Sequence, residues 1–290
     1  MTYSTLQTET HDGVRHIVLS RPEAFNAITV ALRDELEQAV DAADTDPDVR
    51  VILLRAEGPA FCAGFGLDWS PEEQDARERH GDDYTTNIVS DLQRIGSFAR
   101  VFSKLRECSV PTLAAIQGYC IAGGTDLAFN CDIILCSEDA SFGYPPARVW
   151  GVPEQPWLWV ARLGAQAAKR YLFTGDEIPA QEAQRLGLVW DVVPRSDLDS
   201  EAQTLAARMA RLPRNQLQML KLTLKQVEEG QYDIEGSRRL GCMFDGAARH
   251  TREGKAFVAR AMEVGWRGVV RERDAPFGDY GEAERDADHG

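Results

Sequence analysis

Hydrophobic and polar positions divide the chain into two stretches of different character. Residues 3–10 and 14–19 carry strand-like apolar positions on either side of His11-Asp12-Gly13, which predicts a hairpin. Over 30–44, Leu32, Leu36, Ala39, Val40 and Ala43 return with helical period, and Thr29 is placed to cap that helix. Residues 51–54 are an unbroken apolar run, as in a strand buried on both faces. Residues 70–83 are polar and charged and predict a surface loop, leading into a helix near 84–106. Short buried strands are predicted at 112–116 and 132–136, with a helix over 123–130 between them. After Pro153 the pattern predicts helices over 155–163, 165–173 and 179–186, then a last strand at 189–193. From Asp197 only the helical period remains, with breaks at Pro213, Gly230 and Gly254, and the tail from Asp274 is acidic. The chain is thus expected to be α/β, with a mixed core over 1–195 and a helical region over 196–290.

Composition narrows the function classes. With 290 residues, 43% hydrophobic and 27% charged, the chain can bury a sizeable core without disulfide or metal staples. The net charge of −14 makes it a poor partner for nucleic acid or an anionic membrane. No apolar run approaches the roughly 20 residues of a membrane span. The opening MTYSTLQTET lacks the basic and apolar parts of a signal peptide, so a cytoplasmic location is expected. The six cysteines form no C-x-x-C pair and read as free thiols. The five histidines form no cluster, so no metal site is expected.

Two glycine-rich segments are the candidates for chemistry. Phe61-Cys62-Ala63-Gly64-Phe65-Gly66-Leu67-Asp68 follows the 51–54 strand and the Glu57-Gly58-Pro59 turn. Its small residues would let a ligand approach the backbone, and would equally serve a tightly packed loop. Gly118-Tyr119-Cys120-Ile121-Ala122-Gly123-Gly124-Thr125-Asp126 follows a strand and opens a helix. It nearly has P-loop spacing, but Gly124 stands where the lysine must be, and it is not G-x-G-x-x-G. What remains is a glycine turn whose backbone N–H groups suit an anion, including one that forms only during a reaction. Asp126 in the following turn is either a complement to the helix dipole or a general acid/base.

Taken in order, Arg21-Pro22-Glu23-Ala24-Phe25-Asn26-Ala27, Phe61 to Gly64, Gly118 to Ala128 with Cys131-Asp132, Phe142-Gly143 and Gly151-Val152-Pro153 resemble the signatures of the crotonase (enoyl-CoA hydratase/isomerase) superfamily. The resemblance is close over about 10–230. It implies a crotonase-like spiral of ββα repeats with a helical C-terminal region, assembled as a homo-oligomer, a trimer or hexamer. It implies an acyl-CoA thioester substrate, coenzyme A entering as part of that substrate, with no other cofactor. Its nominal activity is enoyl-CoA hydration, as in fatty acid metabolism. By position, Ala63 and Gly123 would give the two N–H groups that hold the thioester oxygen. The CoA arm would run by Phe25, Ala27, Gly64, Phe65, Gly66 and Leu67, and the acyl group would face Tyr144 and Trp150, with Trp157 and Trp159 nearby. The alternative for these aromatics is core packing. Lys255, Arg260, Arg271 and Arg273 are candidates for the CoA phosphates.

The pattern departs from hydratases at their two catalytic glutamates. The first position holds Asp126, one methylene shorter, and the second falls on Pro146, which moves no proton. Glu154, about eight residues on, stands where some members carry a catalytic aspartate, and Pro153 would place it in a first helical turn. Asp126 and Glu154 are therefore the expected acid pair. Hydration, isomerisation by one base, thioester or C–C hydrolysis, and a non-catalytic CoA-thioester binder all stay open.

Overall fold

The computed structural model describes residues 3–66, 88–248 and 250–280. Strands β1 (Leu6–His11) and β2 (Val14–Leu19) pair antiparallel through Asp12 and Gly13, whose φ angles of 49° and 81° close the turn. β2 then pairs parallel with β3 (Val51–Ala56), and β3 with β4 (Thr112–Ile116). β4 pairs with β6 (Ile133–Ser137), and β6 with β9 (Asp191–Val193), so the main sheet runs β1-β2-β3-β4-β6-β9. A second sheet has the order β5 (Tyr119–Ile121), β7 (Ser141–Gly143) and β8 (Ile178–Pro179). Its strands have only two or three residues, too few to leave a periodic signal in the sequence.

Helix α1 (Val30–Thr45) buries the five residues its period predicts, and Thr29 Oγ1 accepts the Leu32 N–H at 3.1 Å. The helices that follow are α2 (Ile88–Glu107), α3 (Gly123–Phe129), α4 (Pro156–Thr174) and α5 (Ala180–Arg185). The C-terminal helices are α6 (Leu198–Met209), α7 (Arg214–Gln231), α8 (Ile234–Ala248), α9 (Arg252–Val264) and α10 (Trp266–Asp274). The two helices predicted on either side of Gly164 are segments of α4, bent where Gly164 takes a φ of 75°. Gly254 does not break a helix. Thr251 Oγ1 accepts its N–H at 3.0 Å, which places it in the first turn of α9; the breaks fall just before it, between Ala248 and Arg252, and at Gly265, with φ 77°. The loop expected at 70–83 lies outside the described residues.

The sheet is packed on both faces. One face joins α1, α2, α3 and α4 in a single large core. The other is covered by α6, whose Leu198, Ala202 and Ala206 meet Val14, Leu53, Leu113 and Leu135. The helical region therefore shares a core with the sheet across residue 195. Among the described residues, no helix is long and apolar enough to cross a membrane.

Candidate active site

The site begins with a strained turn. Phe25 and Asn26 take consecutive left-handed φ angles of 50° and 52°, each costing about 1–2 kcal/mol for a residue with a side chain. Asn26 offsets that cost. Its Nδ2 donates to Glu57 O and Ala60 O, both at 2.9 Å, and its Oδ1 accepts the Arg21 N–H at 2.9 Å. The turn then grips the first glycine-rich loop. Ala63 N–H donates to Phe25 O at 3.0 Å, Ile28 N–H to Gly64 O at 2.8 Å, and Gly66 N–H to Ile28 O at 3.0 Å. So Phe25, Ala27, Gly64, Phe65 and Gly66 do come together, while Leu67 lies outside the described residues.

This grip also occupies the N–H expected from Ala63. Its N–H is already held by Phe25 O, so a thioester oxygen would have to displace a formed backbone bond. The sequence motif carries no sign of that bond, because Phe25 is 38 positions away in the chain.

The second glycine-rich loop packs backbone to backbone on the first. A Cβ on Gly124 would stand 2.4 Å from Cys62 O. A Cβ on Gly64 would stand 2.7 Å from the Ala122 Cβ and 3.2 Å from the Gly123 nitrogen, so this glycine leaves the approach to that N–H open. Ala122, just before α3, takes a φ of 51° and a ψ of −128°, and its N–H is pinned to Gly143 O at 3.0 Å. Gly123 opens α3, so its N–H has no acceptor within the helix. With only seven residues, α3 carries little macrodipole, and Gly123 counts as a single fixed donor.

Asp126 lies in the first turn of α3 with 1% exposure. Its Oδ1 accepts the Gln155 N–H at 3.2 Å, and the Glu154 N–H is a second backbone donor to the carboxyl. Its Oδ2 is buried and has no hydrogen-bond partner among the described residues. Burial pushes the pKa up to about 7; the two N–H groups resist the rise, and the nearby Asp245 adds to it. The structure thus brings Asp126 and the Glu154 backbone into contact. Glu154 is buried but is not in a first helical turn: Pro156 takes that place, with Gln155 as the preceding cap. Gln155 is itself held by Ser103 of α2, whose Oγ donates to its Oε1 at 2.9 Å. Pro146 sits in a 3₁₀ turn, 145–148, and offers no proton chemistry.

The expected aromatic wall is dispersed. Phe65 stands against Gly123, its ring lying 2.7 Å from where a Cβ would be, and edge-on to Phe98 at 5.1 Å. Tyr144 donates its hydroxyl to Val152 O at 2.9 Å and packs against the fully buried Trp159. Trp150 stacks on Phe257 at 5.4 Å in a cluster with Trp266 of α10, and Trp157 on Tyr232 at 5.9 Å. Tyr144, Trp157 and Trp159 therefore follow the core-packing alternative. Among the basic candidates, Arg260 pairs with Glu263 and Glu272, and Arg273 with Asp274.

Three site residues escaped the sequence reading: Gln155, Cys242 and Asp245. Asp245 Oδ1 accepts the Val152 N–H at 3.4 Å, and the Asp126 and Glu154 carboxyls help push the Cys242 thiol pKa up, behind burial as the main cause. Gly241, Cys242, Asp245 and Gly246 form the buried stripe of α8. An acid in a stripe of small residues was the available signal. Nothing in the sequence tied that stripe to Asp126.

Comparison with known proteins places the chain in a family. The family described as enoyl-CoA hydratase/isomerase matches residues 9–239. A crystal structure of an enoyl-CoA hydratase from Mycobacterium smegmatis superposes with a TM-score of 0.89 at 44% identity, covering 96% of each chain. A Mycobacterium bovis protein named "Probable enoyl-CoA hydratase echA8" is 28% identical over 279 residues, 96% of this chain and 99% of its own. A Rhodococcus jostii protein named as a (7aS)-7a-methyl-1,5-dioxo-2,3,5,6,7,7a-hexahydro-1H-indene-carboxyl-CoA hydrolase is 33% identical over 230 residues, 79% of this chain and 83% of its own. With four-fifths of its length matched and its fold shared with these proteins, the chain belongs to the enoyl-CoA hydratase/isomerase family.

Proposed function

We propose that the protein acts on an enoyl-CoA thioester, with the Gly123 N–H polarising the carbonyl and Asp126 transferring a proton at the α-carbon. The observation that carries this reading is Asp126 itself: a buried carboxyl beside Gly123, with an unused oxygen and a pKa of about 7. A group that titrates near neutrality both gives and takes a proton readily, an effect typically worth ~10²–10⁴ in rate. A fixed backbone donor needs no reorganisation as charge builds on the thioester oxygen.

In hydration, Glu154 would take a proton from water as its oxygen bonds to the β-carbon. The π electrons move onto the thioester oxygen as an enolate, and Asp126 protonates the α-carbon. In isomerisation, Asp126 alone would carry the proton between carbons. Coenzyme A comes with the substrate and no other cofactor is invoked. A homo-oligomer, trimer or hexamer, and a cytoplasmic location belong to the same reading. The exposed Leu220, Leu222 and Leu224 of α7 support the oligomer.

A second reading, CoA-ester hydrolysis, is favoured by Pro146 in place of the second glutamate and by the Rhodococcus hydrolase among the relatives. Turnover of a short and an aromatic enoyl-CoA by wild type, Asp126→Asn and Glu154→Gln tests the assignment. Asp126→Asn is expected to lose at least about 10²-fold. Wild-type turnover by that variant would remove Asp126 from the chemistry.

A further inference from the structure

Helix α8 comes from the far end of the chain, yet it closes on the segment that carries Glu154. A Cβ on Gly241 would stand 2.5 Å from Pro153 O and 2.7 Å from Glu154 O, so a larger residue would push the helix away. One residue on, Cys242 Sγ lies 3.9 Å from Glu154 O. One turn on, Asp245 Oδ1 receives the Val152 N–H at 3.4 Å. These contacts fix the register of α8 against 152–154, and the N–H groups of Glu154 and Gln155 then bind Asp126. Asp245 is 7% exposed.

We infer that Asp245 is a positioning residue of the acid site: it sets the 152–155 segment beside Asp126 and stands as a charged neighbour of that carboxyl. This rests on the reading of Asp126 as the proton-transfer group. Like charges in a shared dry site cannot all ionise, so one carboxyl retains its proton. The rise of the Asp126 pKa to about 7 has Asp245 as its largest charged contributor, after burial.

The titratable groups acting on Asp126 or sharing its surroundings are Cys120 from β5, Glu154 from the loop, and Cys242 and Asp245 from α8. Burial pushes both thiols well up, so they stay neutral. From α2, Ser103 reaches Gln155, and from α4, Arg162 binds Phe129 O and Cys131 O at the opposite end of α3. Arg238 of α8 acts on the Cys242 thiol, and Asp245 is the α8 charge that acts on Asp126. Among the described residues no three such ligating groups are arranged to hold a metal ion.

The test is the titration of Asp126 itself. Protein labelled with ¹³C at aspartate carboxyls is titrated by NMR, the Asp126 signal being assigned by its loss in Asp126→Asn. In wild type the midpoint is expected at about 7. In Asp245→Asn, which keeps an oxygen for the Val152 N–H, it is expected to fall by about one unit. The acidic limb of the kcat/KM profile is expected to move with it. If Asp245→Asn does not fold, Asp245→Ser removes the same charge with a smaller side chain. An unchanged midpoint in a folded variant overturns the inference and leaves the functional reading standing. Wild-type turnover by Asp126→Asn sinks the functional reading whatever the titration shows.

Discussion

Asp126 ought to make the protein less stable as pH rises, and its removal should reverse this. A carboxyl with a folded pKa above its unfolded value binds its proton more tightly in the native state. The stability this gives is complete below the unfolded pKa and is lost as pH rises through the folded one. Here the window runs from 3.8 to about 7. Relative to the unfolded chain, where the aspartate ionises freely, the buried carboxyl then costs about 2 kcal/mol at pH 5, where it stays protonated, and about 4 kcal/mol at pH 8.5, where it is forced to ionise. Asparagine never ionises and keeps Oδ1 to accept the Gln155 N–H. Asp126→Asn should therefore gain roughly 2–3 kcal/mol on wild type between pH 5 and pH 8.5. Urea unfolding of both proteins at the two pH values measures this difference, and any pH-independent effect of the substitution cancels. An equal stability difference at both pH values would refute the reasoning, because it would mean that Asp126 has an ordinary carboxylate pKa.

Gly64→Ala should lower both stability and turnover, the latter about 10²-fold, because at a φ of 89° the new Cβ would stand 2.7 Å from the Ala122 Cβ and 3.2 Å from the Gly123 nitrogen, where it blocks the carbonyl; unchanged kcat would place the carbonyl elsewhere. Asn26→Ala leaves the Glu57 and Ala60 carbonyls and the Arg21 N–H without their partner, and should lower stability by about 2–4 kcal/mol by thermal or urea unfolding. Arg148 is buried between Asp274 at 2.9 Å and Asp279 at 2.7 Å and lies 3.8 Å from the Phe277 ring centroid. Arg148→Met should destabilise the 274–280 segment by about 3–5 kcal/mol, read as faster hydrogen exchange there; unchanged exchange would show that the clamp is not what holds it.

What could be read in the sequence was local. The α1 stripe from Leu32 to Ala43, the apolar runs that became β3, β4 and β6, and the two glycine-rich loops each carry their signal within a few residues. Asp126 was visible because it follows Gly123-Gly124, and its burial was not. The strands β5, β7 and β8 escaped because two or three residues hold no period. The bond from the Ala63 N–H to Phe25 O was not legible either, because it joins positions far apart in the chain. Tyr144, Trp157 and Trp159 read as pocket or core, with core the stronger reading, and their contacts join elements distant in sequence. Asp245, some 119 positions after Asp126, reaches the site only through the close packing that Gly241 allows.

The most direct measurement is the fate of solvent hydrogen. The purified protein is given an enoyl-CoA in D₂O and the products are weighed by mass spectrometry. Chemistry through an enolate protonated by Asp126 is expected to place deuterium on the α-carbon, with the thioester intact and a whole water gained if the reaction is hydration. Free CoA released with an acyl product lacking α-deuterium would contradict proton transfer by Asp126 and leave hydrolysis in its place.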